Sequence, residues 1–220
     1  MSDPGTSDEA PVDFSHKPVL TGSRVVLRPF RLDEDAEVIR DFLTDPEVVR
    51  FTDGRPVTER RAWTEESEQG MRAWYGTRNE QADRLDLAVV DRDTGRCVGE
   101  VVLNEWDPDN QSCNFRILLG SSGRDRGLGT EATRLIVSHG FERLRLHRIS
   151  LSVFDHNPRA RRAYAKVGFV LEGTSRQALR LGDTWVDDHH MAVLAHEWRR
   201  HRGHPETAAA ASVEGAAGTA

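Results

Sequence analysis

The chain has 220 residues, of which 37% are hydrophobic and 30% charged, with a formal net charge of -6. These figures suit one soluble domain with a sizeable core and argue against a general nucleic-acid binder, which is usually basic. No apolar run approaches a membrane span, no charged start with an apolar core marks a signal peptide, and Cys97 and Cys113 lack metal-ligand or disulfide-framework spacing.

A cytoplasmic setting with reduced thiols is therefore expected. Of the 30 basic residues only Lys17 and Lys166 are lysine. Arginine-rich codon usage explains that skew before phosphate recognition does.

Residues 1–18 are polar and rich in Pro, Gly, Ser and Asp, which predicts a flexible arm. Residues 203–220 are rich in Ala, Gly and Thr without apolar periodicity and read as a tail, leaving 19–202 as the folded domain. Residues 24–30 form a first strand. Asp33, Glu34 and Asp35 open a helix through Val38, Ile39, Phe42 and Leu43, with acids where the helix dipole favours them. Thr58 and Glu59 are expected to begin a second helix running through Trp63 to Trp74.

Residues 85–90 and 97–106 are strands joined by a turn over Asp91 to Gly95, where Gly supplies a positive φ. A further turn at residues 107–111 leads into the strand Phe115-Arg116-Ile117-Leu118-Leu119. Ala132, Leu135, Ile136, Gly140, Phe141 and Leu144 then recur at helical spacing from Thr130 to Leu144. Residues 148–154 are a strong strand, and Asn157-Pro158 opens a short helix with cap and proline in their preferred places. Two final strands, over 170–179 and 184–194, are linked by Leu181-Gly182-Asp183. The pattern predicts a mixed α/β sheet with helices on both faces.

Chemistry concentrates at Arg124-Asp125-Arg126-Gly127-Leu128-Gly129-Thr130, between a strand and a helix. Glycines let a phosphate approach the backbone, helix N–H groups point at it, and two arginines add positive charge. A bare turn without ligand explains the loop about equally well. The stretch Gly127 to Ala132 also fits the looser dinucleotide fingerprint. That reading, an oxidoreductase, requires the loop to follow the first strand of a Rossmann unit, and the nearest acid at a strand end, Asp155, is too far along. A phosphate-loop NTPase needs Gly-Lys-Ser/Thr, and the loop has no lysine.

A second constellation, Asn157, Ala160, Tyr164, Lys166, Gly168 and Phe169, follows the next strand. With Arg124, Gly127 and Gly129, these residues resemble the two motifs of the GNAT N-acetyltransferase superfamily in spacing and order. The opening Leu20 to Pro29 and the ending Gly182 to Asp187, with Met191 and Leu194, resemble its ribosomal-protein-alanine and spermidine acetyltransferase group. The resemblance spans roughly residues 20–199.

It implies a mostly antiparallel mixed sheet whose central parallel strands, 113–119 and 148–154, splay apart. Backbone groups of Ile117, Leu118 and Leu119 would then pair with the pantetheine arm of acetyl-CoA. Its pyrophosphate would meet the N–H groups of Arg124, Asp125, Arg126, Gly127, Leu128, Gly129 and Thr130. Tyr164 is the implied acid for the leaving thiolate, a phenol being protonated at neutral pH. Packing alone would explain it too, since Ala160, Ala163, Tyr164 and Val167 form a core-facing stripe. Asn157 is a helix cap, a cofactor ligand, or both.

The implied reaction moves acetyl from acetyl-CoA to a primary amine, on a small molecule or a protein N-terminus, by direct attack in a ternary complex. A silent acyl-CoA-binding domain on the same fold is the alternative. Relatives often carry Glu on the strand before the cofactor loop, about where Asn114 stands, and Asn is no base. Glu100 and Glu105 read as solvated surface carboxylates, Asp187 and Asp188 are further candidates, and no base is assigned. Acceptor choice is expected to lie in residues 45–76 and the final hairpin. Dimers are common in the superfamily, so a homodimer is allowed, though no residue here points to one. Neither nucleic acid nor membrane is expected as a partner. His196 and His201 miss the i, i+4 spacing of a zinc helix, and His189 and His190 point to opposite faces of a strand, so no metal is expected.

Overall fold

The computed structural model describes residues 13–52 and 63–202. One eight-stranded sheet carries the fold, formed by β1 (Leu20–Thr21), β2 (Val25–Arg28), β3 (Leu85–Asp91), β4 (Cys97–Asp107), β5 (Ser112–Leu119), β6 (Arg148–Phe154), β7 (Val170–Leu181) and β8 (Thr184–Leu194). Their spatial order is β1-β2-β3-β4-β5-β6-β8-β7. All neighbouring pairs are antiparallel except β5 and β6.

Strand β3 is buried along its whole length and β4 from Cys97 to Leu103, because helices cover both faces of the sheet. On one face α4 (Leu128–Glu142) seats Leu128, Ala132, Ile136 and Val137 against Leu87, Val101 and Phe115. On the other, α1 (Leu32–Leu43) and α3 (Glu65–Gly76) seat Ile39, Phe42, Met71 and Tyr75 against Ala88 and Leu118. Side chains of a strand alternate between faces, so Phe115, Ile117 and Leu119 look toward α4, and Arg116 and Leu118 toward α1 and α3. Leu151 and Tyr164 belong to the α4 side, with α5 (Pro158–Val167).

Two irregularities shape the centre. Glu105 takes φ 54° at a bulge where the β4–β5 register shifts between Asn104 and Asp107. The parallel pairing of β5 and β6 covers only Ser112, Cys113 and Asn114 against Arg148, Ile149 and Ser150. Beyond that, β5 stays paired to β4 as far as Leu119, and β6 to β8 as far as Phe154. The two facing strand edges therefore diverge with their backbone groups unpaired across the gap.

The structure corrects several boundaries. Residues 13–18 do not join a flexible arm: Phe14 is buried and packs edge-on against Trp106, while Lys17 Nζ donates to the carbonyls of Gln81 and Arg84. One large aromatic outweighed a polar composition there. The helix expected from Thr58 begins at Glu65, with the Thr64 side chain accepting from the Ser67 N–H at 3.2 Å; residues 58–62 lie outside the described part. A helix α2 (Pro46–Thr52) was not anticipated. It is short and has one buried side chain, Val48, so it carries little periodicity. The chain ends the described part in α6 (Ala195–Arg202), whose Trp198 packs beside Phe141. The tail, 203–220, and residues 1–12 lie outside the described residues.

Candidate active site

The divergence of β5 and β6 opens a cavity of about 270 Å³, walled by β5, the glycine loop, α2 and α5. Ile117, Leu118, Leu119, Arg124, Asp125, Gly127, Gly129, Thr130, Asn157 and Tyr164, drawn from separate parts of the sequence, all line it. Arg126 and Leu128 do not. Leu128 is a core anchor, 1% exposed.

The loop backbone turns sharply into α4 and leaves the first N–H groups of the helix free of helical acceptors. Asp125 (φ 58°) and Gly127 (φ 78°) take the left-handed conformation, and Gly127 caps α4. The first α4 hydrogen bond outside the first turn runs from the Glu131 N–H to the Gly127 carbonyl, at 3.2 Å. The N–H groups of Leu128, Gly129 and Thr130 thus have no acceptor within the helix, and they converge at its positive end. A Cβ on Gly129 would come within 2.8 Å of Leu119 Cδ1, the end of a flexible side chain, so a larger residue there would displace Leu119 at the cavity wall.

The loop's arginines do a different job from the one expected of them. Arg124 donates to Leu119 O at 3.0 Å, Asp45 at 2.6 Å and Glu47 at 2.9 Å, tying the end of β5 to the start of α2. Arg126 donates to Asp91 at 2.8 Å in the β3–β4 turn and holds that carboxyl below its ordinary range. Both guanidinium groups are already engaged by carboxylates, which short-range motif reading could not reveal. Positive charge facing the cavity comes instead from Arg162 and Lys166, one turn apart on α5, whose side chains make no hydrogen bond or ion pair among the described residues.

Tyr164 stands against Phe115 (6.0 Å between centroids, perpendicular) and Phe169 (5.9 Å). Its hydroxyl has no hydrogen-bond partner among the described residues, and burial pushes the phenol up from its ordinary pKa. Asn157 caps α5: its Oδ1 accepts from the Ala160 N–H at 3.1 Å. Both readings of Asn157 remain compatible with its place on the cavity wall.

Among the carboxylates, Glu105 is exposed at the bulge, as expected. Glu100 is not a surface group: it is 5% exposed and accepts a hydrogen bond from Tyr75 Oη at 2.9 Å. Burial lifts its pKa to about 7, against the opposing effect of that hydrogen bond. The signal was present in the sequence, since Cys97 to Leu103 is otherwise an unbroken apolar run of the kind covered on both faces. Asn114 donates to Asn104 Oδ1 at 2.9 Å across the strands. Asp187 accepts from the Gln177 N–H at 2.7 Å. His189 is buried between Asp155 (3.0 Å) and Thr174 (2.9 Å), while His190 is exposed beside Ser175.

Comparison with known proteins matches residues 24–170 to the family model described as an acetyltransferase (GNAT) domain. The L-amino acid N-acetyltransferase AaaT of Escherichia coli (strain K12) is 30% identical over 177 residues, covering 77% of this chain and 98% of that protein. The spermidine N(1)-acetyltransferase of the same strain is 27% identical over 140 residues, 58% of this chain and 75% of that protein. The structure of spermidine N-acetyltransferase from Vibrio cholerae in complex with CoA and spermine superposes with a TM-score of 0.67 at 20% identity, covering 81% of this chain and 99% of that one.

Proposed function

The chain belongs to the GNAT acetyltransferase family, and from that premise we propose that it binds acetyl-CoA in the β5–β6 split and acetylates a primary amine by direct transfer in a ternary complex. The observation that carries this reading is the parallel register that stops at Asn114 and Ser150, with the glycine loop at the mouth of the resulting gap.

The residues present fit that co-substrate. Unpaired strand edges along Ile117, Leu118 and Leu119 offer the donors and acceptors that the two amides of a pantetheine arm need. The N–H groups of the loop from Arg124 to Thr130 suit a pyrophosphate. Arg162 and Lys166 add charge where the engaged side chains of Arg124 and Arg126 do not. Acetyl-CoA, when bound, supplies the acetyl group already activated as a thioester.

Tyr164 then holds the proton for the departing sulfur. Its raised pKa keeps the phenol protonated at neutral pH, and its unpartnered hydroxyl is available to donate. Asn157 keeps the first turn of α5 in place through its cap, and so positions Tyr164 two turns on. The two cysteines are free and buried, and no helix among the described residues is long and apolar enough to cross a membrane.

The test is thiol release from acetyl-CoA against a panel of polyamines, aminoglycosides, amino acids and N-terminal peptides. Amine-dependent release supports the reading. Acetyl-CoA binding with no turnover on any amine would replace it with a silent acyl-CoA-binding domain.

A further inference from the structure

A second cavity, of about 370 Å³, lies on the α1 and α3 side of the sheet, the face away from α4 and α5. Leu118 lines both cavities, its backbone belonging to the strand that walls the first and its side chain facing α1 and α3 in the second. The strand register gathers the polar groups here. Glu100 stands opposite Leu118, and Val102 lies between Asp86 on one side and Arg116 on the other. Trp63, Trp74 and Tyr75 supply an aromatic wall.

Most of the charges are already satisfied. Arg84 closes on Asp86 at 2.7 Å, and the Arg78 guanidinium lies 3.7 Å from the Trp74 ring centroid. Two remain. Glu100 has the Tyr75 hydrogen bond but no ion-pair partner, and Arg116, on the exposed side, makes no hydrogen bond or ion pair among the described residues. A buried carboxylate and an available guanidinium in one aromatic-walled cavity are complementary to a small zwitterion.

We infer that this cavity takes the acceptor, an amine of the α-amino acid type, with Glu100 receiving the ammonium proton and Arg116 pairing with the carboxylate. The inference rests on the acetyl-transfer reading above and deepens it. A polyamine would set a second cation near Arg116, and the other acid that lines the cavity among the described residues, Asp86, is already paired with Arg84. An α-amino acid, or a peptide short enough for its terminal carboxylate to reach, meets a complement at both ends.

The proton balance closes. In going from ammonium to amide the nitrogen loses two protons while a C–N bond forms and the C–S bond breaks. The first passes to Glu100 and on to solvent. Tyr164 gives one to sulfur and regains the second from nitrogen, so each acetylation releases one proton. The groups facing Glu100 tune the first step: Tyr75, Arg116 and Arg84 favour its charged form, and burial and Asp86 oppose it. Cys97 and Arg78 also lie within electrostatic reach. A carboxyl titrating near neutrality suits a general base.

Two measurements decide the point. Tryptophan fluorescence, reported by Trp63 and Trp74, is titrated without acetyl-CoA, using α-amino acids each paired with the amine left by its decarboxylation. At least one amino acid should bind about tenfold tighter than its amine, and Arg116→Ala should erase the difference. Equal binding within every pair, or tighter binding of spermidine, overturns the assignment. Glu100→Gln keeps an acceptor for Tyr75, and should lower kcat/KM about 100-fold. It should also remove the acid limb near pH 7 and leave acetyl-CoA affinity unchanged. An unaltered pH profile overturns the role of Glu100. Should Glu100→Gln fail to fold, Glu100→Asp serves: it should keep the limb but shift it, and an unshifted, fully active enzyme is contrary. Wild-type turnover with these contrary results removes only this inference, whereas failure to bind acetyl-CoA removes the transfer reading as well.

Discussion

The hydroxyl of Tyr75 donates to Glu100 Oε2 at 2.9 Å, joining α3 to the middle of β4 inside the sheet. The bond both anchors the helix and favours the ionised carboxyl, so Tyr75→Phe should act in two ways. It should cost about 1–3 kcal/mol, as an acceptor is left buried without its donor. It should also raise the Glu100 pKa further, moving any acid limb of activity to higher pH. Denaturant melts and a pH–rate profile read the two effects separately.

Glu100 also sets a pH dependence of stability that needs no substrate. Its folded pKa, about 7, lies above the ordinary 4.5, so the folded state binds the proton more tightly than the unfolded state does. Stability therefore falls as pH rises from about 4.5 to about 7, by an amount on the order of 3 kcal/mol. Urea midpoints across that window should show the decline in wild type, and Glu100→Gln should flatten it.

For Tyr164, Phe should lower turnover by about 100-fold, the usual scale for a positioned acid. Stability and acetyl-CoA affinity should barely change, because the hydroxyl makes no hydrogen bond among the described residues while the ring still fills its place beside Phe115 and Phe169. Undiminished turnover with a good amine would remove Tyr164 from the chemistry.

Arg124 should behave as a tie. Arg124→Ala leaves Asp45 without its cation, while Glu47 keeps Arg159, and frees the end of β5 from α2, at a cost of about 1–3 kcal/mol. Thermal melting should record that loss. Any fall in acetyl-CoA affinity should largely recover when binding is measured well below the melting range.

What the sequence disclosed follows from the range of each interaction. Strands β3 to β8, the turn at Asp91 to Gly95 and the Asn157 cap were legible, because periodicity, turn chemistry and capping are local. The glycine loop was legible as a tight entry into a helix for the same reason. Its arginines were misjudged because their partners, Asp45, Glu47 and Asp91, lie far away in the chain. Phe14 and Glu100 were misplaced for a related reason: burial is a property of what packs on top, and α3 and Trp106 arrive from elsewhere. Where relatives are expected to carry a base, Asn114 bonds Asn104, and the buried acid stands one strand over.

The most direct measurement is isothermal titration of acetyl-CoA into the wild-type protein and into Gly129→Asp. The substitution sets a carboxylate on the first turn of α4, against Leu119 and Ile117 on the cavity wall. Wild type should bind one equivalent, and a variant whose melting curve still shows a folded protein should show no measurable binding. Absence of heat with wild type, or equal binding by the folded variant, would contradict the placement of acetyl-CoA in the β5–β6 split.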